Sequence, residues 1–183
     1  MTTGNCGLRG IAGAASLLLA AMALGCGASA DSLARLAAAG SIDQAAPVKA
    51  KVQIEIAAAP AKVWALLVDA PSWPSWQPGI ESVSAAGPLT DGAQFAWRTG
   101  GTTVHSQVRL LDPEKRLAWT GTAMVAHAVH VWKLDTTPGG GTLVVVEESM
   151  DGPLMAKLFP AEKLAASDAA WLRALKSAAE KAS

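Results

Sequence analysis

Cysteine is nearly absent from this chain of 183 residues: its two occurrences, Cys6 and Cys26, both fall within the first thirty. The rest therefore has no disulfide, no thiol nucleophile and no thiolate metal ligand. A domain of about 150 residues buries enough surface to stand without such a staple. An excess of charge is also missing, with 15 basic against 15 acidic residues. Without Arg9 the balance is 14 to 15, a net charge of −1, and no basic stripe appears. A nucleic-acid partner, which needs clustered Lys and Arg to neutralise phosphates, is not expected. Tyr is absent and Phe occurs twice, whereas Trp occurs seven times. Trp is a large apolar side chain whose N–H wants a partner when buried, so this bias suits an apolar interior with a few polar handles.

The longest apolar run, Ile11 to Leu24, is shorter than the roughly 20 residues that span a bilayer. Preceded by Arg9 and centred on Leu17-Leu18-Leu19, it matches the apolar core of a secretory signal. Two cleavage readings compete. Ala28-Ser29-Ala30 is a small-x-small site that leaves Asp31 as the new N-terminus. Leu24-Gly25-Cys26 resembles a lipoprotein signal in which Cys26 is lipidated, although Ala23 stands where Leu is usual. A third reading leaves the segment uncleaved. All three place the domain outside the cytoplasm, in the periplasm or envelope, and only a lipid on Cys26 would attach it to a membrane. The expected organisation is a signal over 1–30, an arm or tether over 31–46 with a short helical stretch at 33–36, and one domain over 47–183.

Within that domain, Val48 to Ile56 alternates, with Val52, Ile54 and Ile56 opposite Lys51, Gln53 and Glu55. Period two of this kind marks a half-buried strand. Pro60 opens a helix where its missing N–H costs nothing, and Val63, Trp64, Leu67 and Val68 recur at helical spacing. The three prolines and the glycine of residues 71–79 restrict that stretch to a turn with one helical turn inside. Strands follow at 80–86, 93–99, 102–110, 116–123, 126–136 and 142–150, separated by turns at Gly100-Gly101, residues 112–115 and residues 138–141. The last stretch is an amphipathic helix: Leu164, Trp171 and Leu175 share a face opposite Glu162, Arg173, Lys176 and Glu180. Consecutive strands on short turns imply an antiparallel sheet, and a helix at each end implies α+β packing.

This order and the stretches IEIAAAPAKVWALLVDAPSWPSWQPGI, FAWRTGG, DPEKRLAWTG, HVWKLDTTPGGGT and VVVEESMDG resemble the SRPBCC superfamily. That superfamily is also called START-like or birch-pollen-allergen-like, and within it the chain is most similar to the polyketide cyclase/dehydrase-type group, over residues 47–182. The stretches are strand, turn and packing features, none of them a catalytic motif. The resemblance implies a helix-grip fold, in which about seven antiparallel strands curl round the C-terminal helix and enclose a cavity. It also implies apolar ligands such as lipids, sterols or polyketides, and in some members cyclisation or dehydration; function inferred from fold is analogy.

Candidate chemistry is sparse. His127 and His130 lie on opposite faces of one strand, His105 lies on another strand, and no carboxylate cluster accompanies them in sequence, so no metal site is expected. His130 shares parity with Trp132 and Leu134, while Lys133 takes the other face; His130 therefore points inward, as a core residue or as an acid or base. Of Glu147 and Glu148 one must face in. Glu148 is favoured because it shares parity with Val144, Val146 and Met150, although Leu143 and Val145 on the other set weaken that choice. The alternative puts both at the cavity mouth. Asp168 interrupts the stripe of the last helix, either as a polar anchor in the cavity or, with Ser167, as the cap of a restarted segment. The expected cavity lining is Trp76, Phe95, Trp97, Trp119, His130, Trp132, Glu148, Leu164, Asp168 and Trp171. There is no Gly-x-Ser-x-Gly elbow, and the Gly139-Gly140-Gly141-Thr142 turn lacks the Lys of a phosphate loop, so no nucleotide or other cofactor is expected. Three readings stand: a binding protein for an apolar small molecule, a cyclase, dehydratase or isomerase using His130 and Glu148, and an envelope-associated domain with a filled cavity.

Overall fold

The computed structural model describes residues 29–181; the leader readings, Cys26 included, lie outside them. Seven strands form one antiparallel sheet: β1 (Val48–Ile56), β2 (Ser82–Ser84), β3 (Gln94–Thr99), β4 (Thr102–Asp112), β5 (Arg116–Ala123), β6 (Ala126–Thr136) and β7 (Thr142–Asp151). Their spatial order is β1-β7-β6-β5-β4-β3-β2. Every pair from β2 to β7 is a sequential hairpin, and β1 closes on β7. The helices are α1 (Ala30–Ala38), α2 (Pro60–Val68), α3 (Trp73–Trp76), α4 (Met155–Leu158) and α5 (Ala161–Ala179), with a 3₁₀ turn at Ala70–Ser72. This is the α+β helix-grip architecture. Among the described residues, no helix is long and apolar enough to cross a membrane.

The two faces of the sheet bury different things. The inner face carries Ile56, Leu117, Trp119, Trp132, Leu134, Val144 and Val146, and meets Trp171, Leu172, Leu175 and Ala179 of α5 together with Val63 and Leu67 of α2. Each such aliphatic side chain gains about 1.5–3 kcal/mol on leaving water. The outer face is covered in its middle by α1. Leu33 and Ala37 of α1 pack with Ala118, Val129 and Val131. The arm is therefore a docked element whose helix, capped by Ser29 Oγ accepting from Ser32 N–H, is longer than the expected turn. Its packing explains why Val129 and Val131, on the same face as the half-exposed Lys133, are fully buried.

The largest departures from the expected strand limits are at β2 and at β4, which runs on past 110 to Asp112. The strand expected over 80–86 shortens to Ser82–Ser84, because β2 is an edge with only three residue pairs to β3. In β4 the register shifts between Val108 and Leu110. This bulge lets Val108 and Leu111 both join the inner core while Leu110 packs under α1.

Candidate functional site

Three ionisable side chains meet behind α5. His130 on β6 and Glu148 on β7 are direct partners across the ladder, both on the inner face, and Glu148 Oε2 lies 3.5 Å from His130 Nδ1. Helix α5 runs unbroken from 161 to 179, so Asp168 caps nothing and its side chain faces the sheet, 2% exposed. One ligand-type atom from each of His130, Glu148 and Asp168 falls within 4.8 Å of the others. The expectation that no carboxylates accompany these histidines is corrected here. Pairing of non-adjacent segments brings Glu148 and Asp168 to His130, whereas His127 sits exposed on the opposite face of β6.

Electrostatics follow from burial. Burial, then the charge of Asp168 and a hydrogen bond to it, pushes Glu148 well above the usual carboxylate range. Burial raises Asp168 to about 6, against the hydrogen bond from Glu148 that favours its ionised form. Burial alone takes His130 down to about 3. Glu148 thus keeps its proton and shares it with Asp168, beside a neutral imidazole. Glu147 shows the contrast: Lys51 at 2.8 Å and Lys133 at 3.0 Å hold it on the outer face.

Aromatic rings surround the trio. His130 stacks on Trp132 at 5.3 Å and 11° and lies 4.6 Å from Trp119, centroid to centroid. Trp171, one turn from Asp168, contacts His130 at 6.2 Å and Trp132 at 5.5 Å. Trp73 completes the cluster, 5.0 Å from Trp171 and 5.8 Å from Phe95. Sequence reasoning missed Trp73 because two of the prolines flank it in what reads as a turn. It is fully buried and anchored by Nε1 donating to Leu67 O at 3.1 Å. The preceding residues 70–72, small and Pro-containing ahead of an aromatic pair, were the available signal.

These rings fill the space between sheet and helix where an enclosed cavity was expected. What opens instead is a groove of about 590 Å³ at its rim, between α3 and α5, lined among others by Trp76, Gln77, Thr99, Ser167, Trp171 and Arg173. Of the expected lining residues, Trp76 and Trp171 border this groove. The Phe95 ring is buried in the core against Trp73 and Trp119, and its strand borders a second depression of about 420 Å³ near the outer face, beside His105 and Arg109. Trp119, Trp132 and Leu164 pack in the interior, Trp97 is partly buried against the core, and His130, Glu148 and Asp168 lie behind Trp171. Trp97 Nε1 donates to Ser106 Oγ. Among the described residues, the buried atoms Trp76 Nε1, Trp132 Nε1, His130 Nε2 and Asp168 Oδ2 have no hydrogen-bond partner.

Comparison with known proteins agrees with this geometry. Residues 47–180 match the sequence model of a family described as polyketide cyclase/dehydrase and lipid transport. No curated protein matches the chain in sequence. Among solved structures, a START superfamily protein from Mycobacterium smegmatis superposes with a TM-score of 0.61 at 16% identity, covering 72% of this chain and 97% of its own. The ZhuI aromatase/cyclase from Streptomyces sp. R1128 gives 0.61 at 22% identity, covering 72% and 93%. A hypothetical protein from Helicobacter pylori gives 0.62 at 22%, covering 73% and 87%. At these identities the likeness is one of fold.

Proposed function

The chain belongs to the polyketide cyclase/dehydrase and lipid-transport family, and from that premise we propose that it binds an apolar small molecule in the groove between α3 and α5. The exported setting read from residues 1–30 is part of the proposal, and places the ligand in the periplasm or envelope. The observation that carries it is the position of Trp171. Its side chain lines the groove and also contacts His130 and Trp132, two of the side chains whose buried polar atoms lack a partner. A ligand stacked on Trp171 and Trp76 gains affinity from apolar burial, at about 25 cal/mol per Å². Polar side chains that line the groove, Gln77, Thr99, Ser167 and Arg173 among them, fix its orientation.

The test is native mass spectrometry of the purified protein, followed by titration of the delipidated protein with fatty acids, sterols and aromatic polyketides under Trp fluorescence. A co-purifying apolar mass, or saturable quenching by one of these classes, is the expected result. No bound mass together with no spectral change across the panel would overturn the reading and favour an envelope-associated domain that takes no small molecule.

A further inference from the structure

The buried trio has a composition that ligand orientation alone does not require. An imidazole and two carboxylates, from β6, β7 and α5, converge in a core otherwise built from Trp, Leu, Val and Ile. Ionisable groups buried in this way ordinarily have a counter-charge or bind a metal when ionised, and among the described residues no Lys or Arg is paired with either carboxylate. His130 is 4% exposed and Asp168 2%, and His130 Nε2 and Asp168 Oδ2 lack hydrogen-bond partners.

We propose that His130, Glu148 and Asp168 form a three-ligand site for a divalent transition-metal ion of the Zn²⁺ type. Binding of the ion displaces the proton that Glu148 holds, and a neutral imidazole with two carboxylates then balances a 2+ charge, which suits a site shielded from solvent. The donors are N and O, as Zn²⁺ accepts at about 2.0–2.2 Å. Two atoms bonded to one ion in tetrahedral geometry at those lengths stand about 3.3–3.6 Å apart. His130 Nδ1 and Glu148 Oε2 already stand at such a separation, 3.5 Å, and the donor atoms, all within 4.8 Å of one another, close by at most about 1.2–1.5 Å to reach that geometry. The imidazole plane is already held by stacking on Trp132. Three protein ligands leave a coordination position open, as in metal sites that engage an exogenous oxygen ligand. The inference does not depend on which organic molecule the groove takes.

The test is titration of Zn²⁺ into the chelator-treated protein against a chromophoric competitor, and of Co²⁺ followed by its d–d absorption and by Trp emission. The expected result is one equivalent per chain, with Co²⁺ quenching the emission because Trp119, Trp132 and Trp171 surround His130. Glu148→Gln and Asp168→Asn keep side-chain size and should each weaken binding by more than the about 10–100-fold that loss of an outer-shell partner costs. The double variant His105→Asn/His127→Asn, at exposed positions, should bind as the wild type does. Absence of stoichiometric uptake would overturn the site, as would uptake that survives both carboxamide variants or disappears with the exposed histidines. If the carboxamide variants fail to fold, the wild-type Co²⁺ experiment decides: bound Co²⁺ that leaves Trp emission unchanged places the ion elsewhere.

Discussion

His130 and Glu148 face each other across the β6–β7 ladder with 3.5 Å between Nδ1 and Oε2. Their neighbours Val131 and Glu147 form the next pair, pointing the other way. The two adjacent glutamates thus have opposite fates, Glu147 ion-paired to Lys51 and Lys133 and Glu148 buried with its proton. That division is what makes an interior site on an otherwise apolar sheet face.

Trp132 is fully buried and contacts Trp119, His130 and Trp171. Trp132→Ala should lower stability by about 3–5 kcal/mol, the range for removing a large buried aromatic. Urea unfolding followed by far-UV circular dichroism measures it. A wild-type midpoint would show that the ring is not part of the packed interior.

Docking of α1 makes a second stability prediction. Leu33 is 5% exposed and packs over Ala118, Val129 and Val131. Leu33→Ala should cost about 2–5 kcal/mol. Leu33→Asp should also release α1, seen as faster amide exchange in the middle of β5 and β6. Unchanged exchange in both variants would mean that the outer face is stable without its helix.

Strand parity alone placed His130 and Trp132 inward, and put Glu148 with Val144 and Val146, because a one-residue error would send the whole apolar set to solvent. Which strands neighbour one another was legible too, since short turns leave consecutive strands few other partners. The meeting of Asp168 with Glu148 was not legible. Helical periodicity fixes which face of α5 turns inward but not how far along β7 it lies. The docking of the arm was not legible for a related reason: Leu33 and Ala37 share a helix face, but that face does not name the outer side of β5 and β6 as its partner. Nor does residue type tell a lined cavity from a filled one. Seven tryptophans suit both, and the contacts of Trp73 with Phe95, Trp119 and Trp171 decide for filling.

Trp171 is the residue through which ligand binding should be reported. Trp171→Phe keeps an aromatic wall but removes one of the two Trp reporters that line the groove, so ligand-induced quenching should fall while affinity changes little. Trp171→Ala should weaken binding about tenfold or more, as loss of a stacked aromatic worth roughly 1.5 kcal/mol beyond its area implies. Calorimetric titration separates the two. Equal affinity in all three proteins would move the ligand away from this groove.

At the far end of α5, Glu180 Oε1 accepts from Ala57 N–H at 2.7 Å and pairs with Lys176 at 2.8 Å. The hydrogen bond from Lys176, then that from Ala57, lowers its pKa below the usual carboxylate value. A depressed acid contributes stability above its unfolded pKa and loses it as pH falls through the folded one. Wild type should therefore exceed Glu180→Gln in unfolding midpoint near neutral pH, with the difference closing on acidification below about pH 4. A difference that stays constant with pH would assign the effect to geometry instead of charge.

Glu148 and Asp168 should cost the fold stability that apolar side chains would not. Removing one alone strands its partner's proton or charge in the interior, which is destabilising. Removing both together leaves no such remnant, and replacing buried ionic groups by apolar ones of similar volume stabilises other proteins by about 1–4 kcal/mol. The double variant Glu148→Leu/Asp168→Leu should therefore be more stable than wild type in denaturant titration without added metal, and should take up no Zn²⁺. A pair kept only to fasten α5 to β7 predicts the reverse, a lower midpoint, because the hydrogen bond between them would have been a net stabiliser. The direction of the midpoint shift thus separates a site maintained against the preferences of the core from a polar fastening within it.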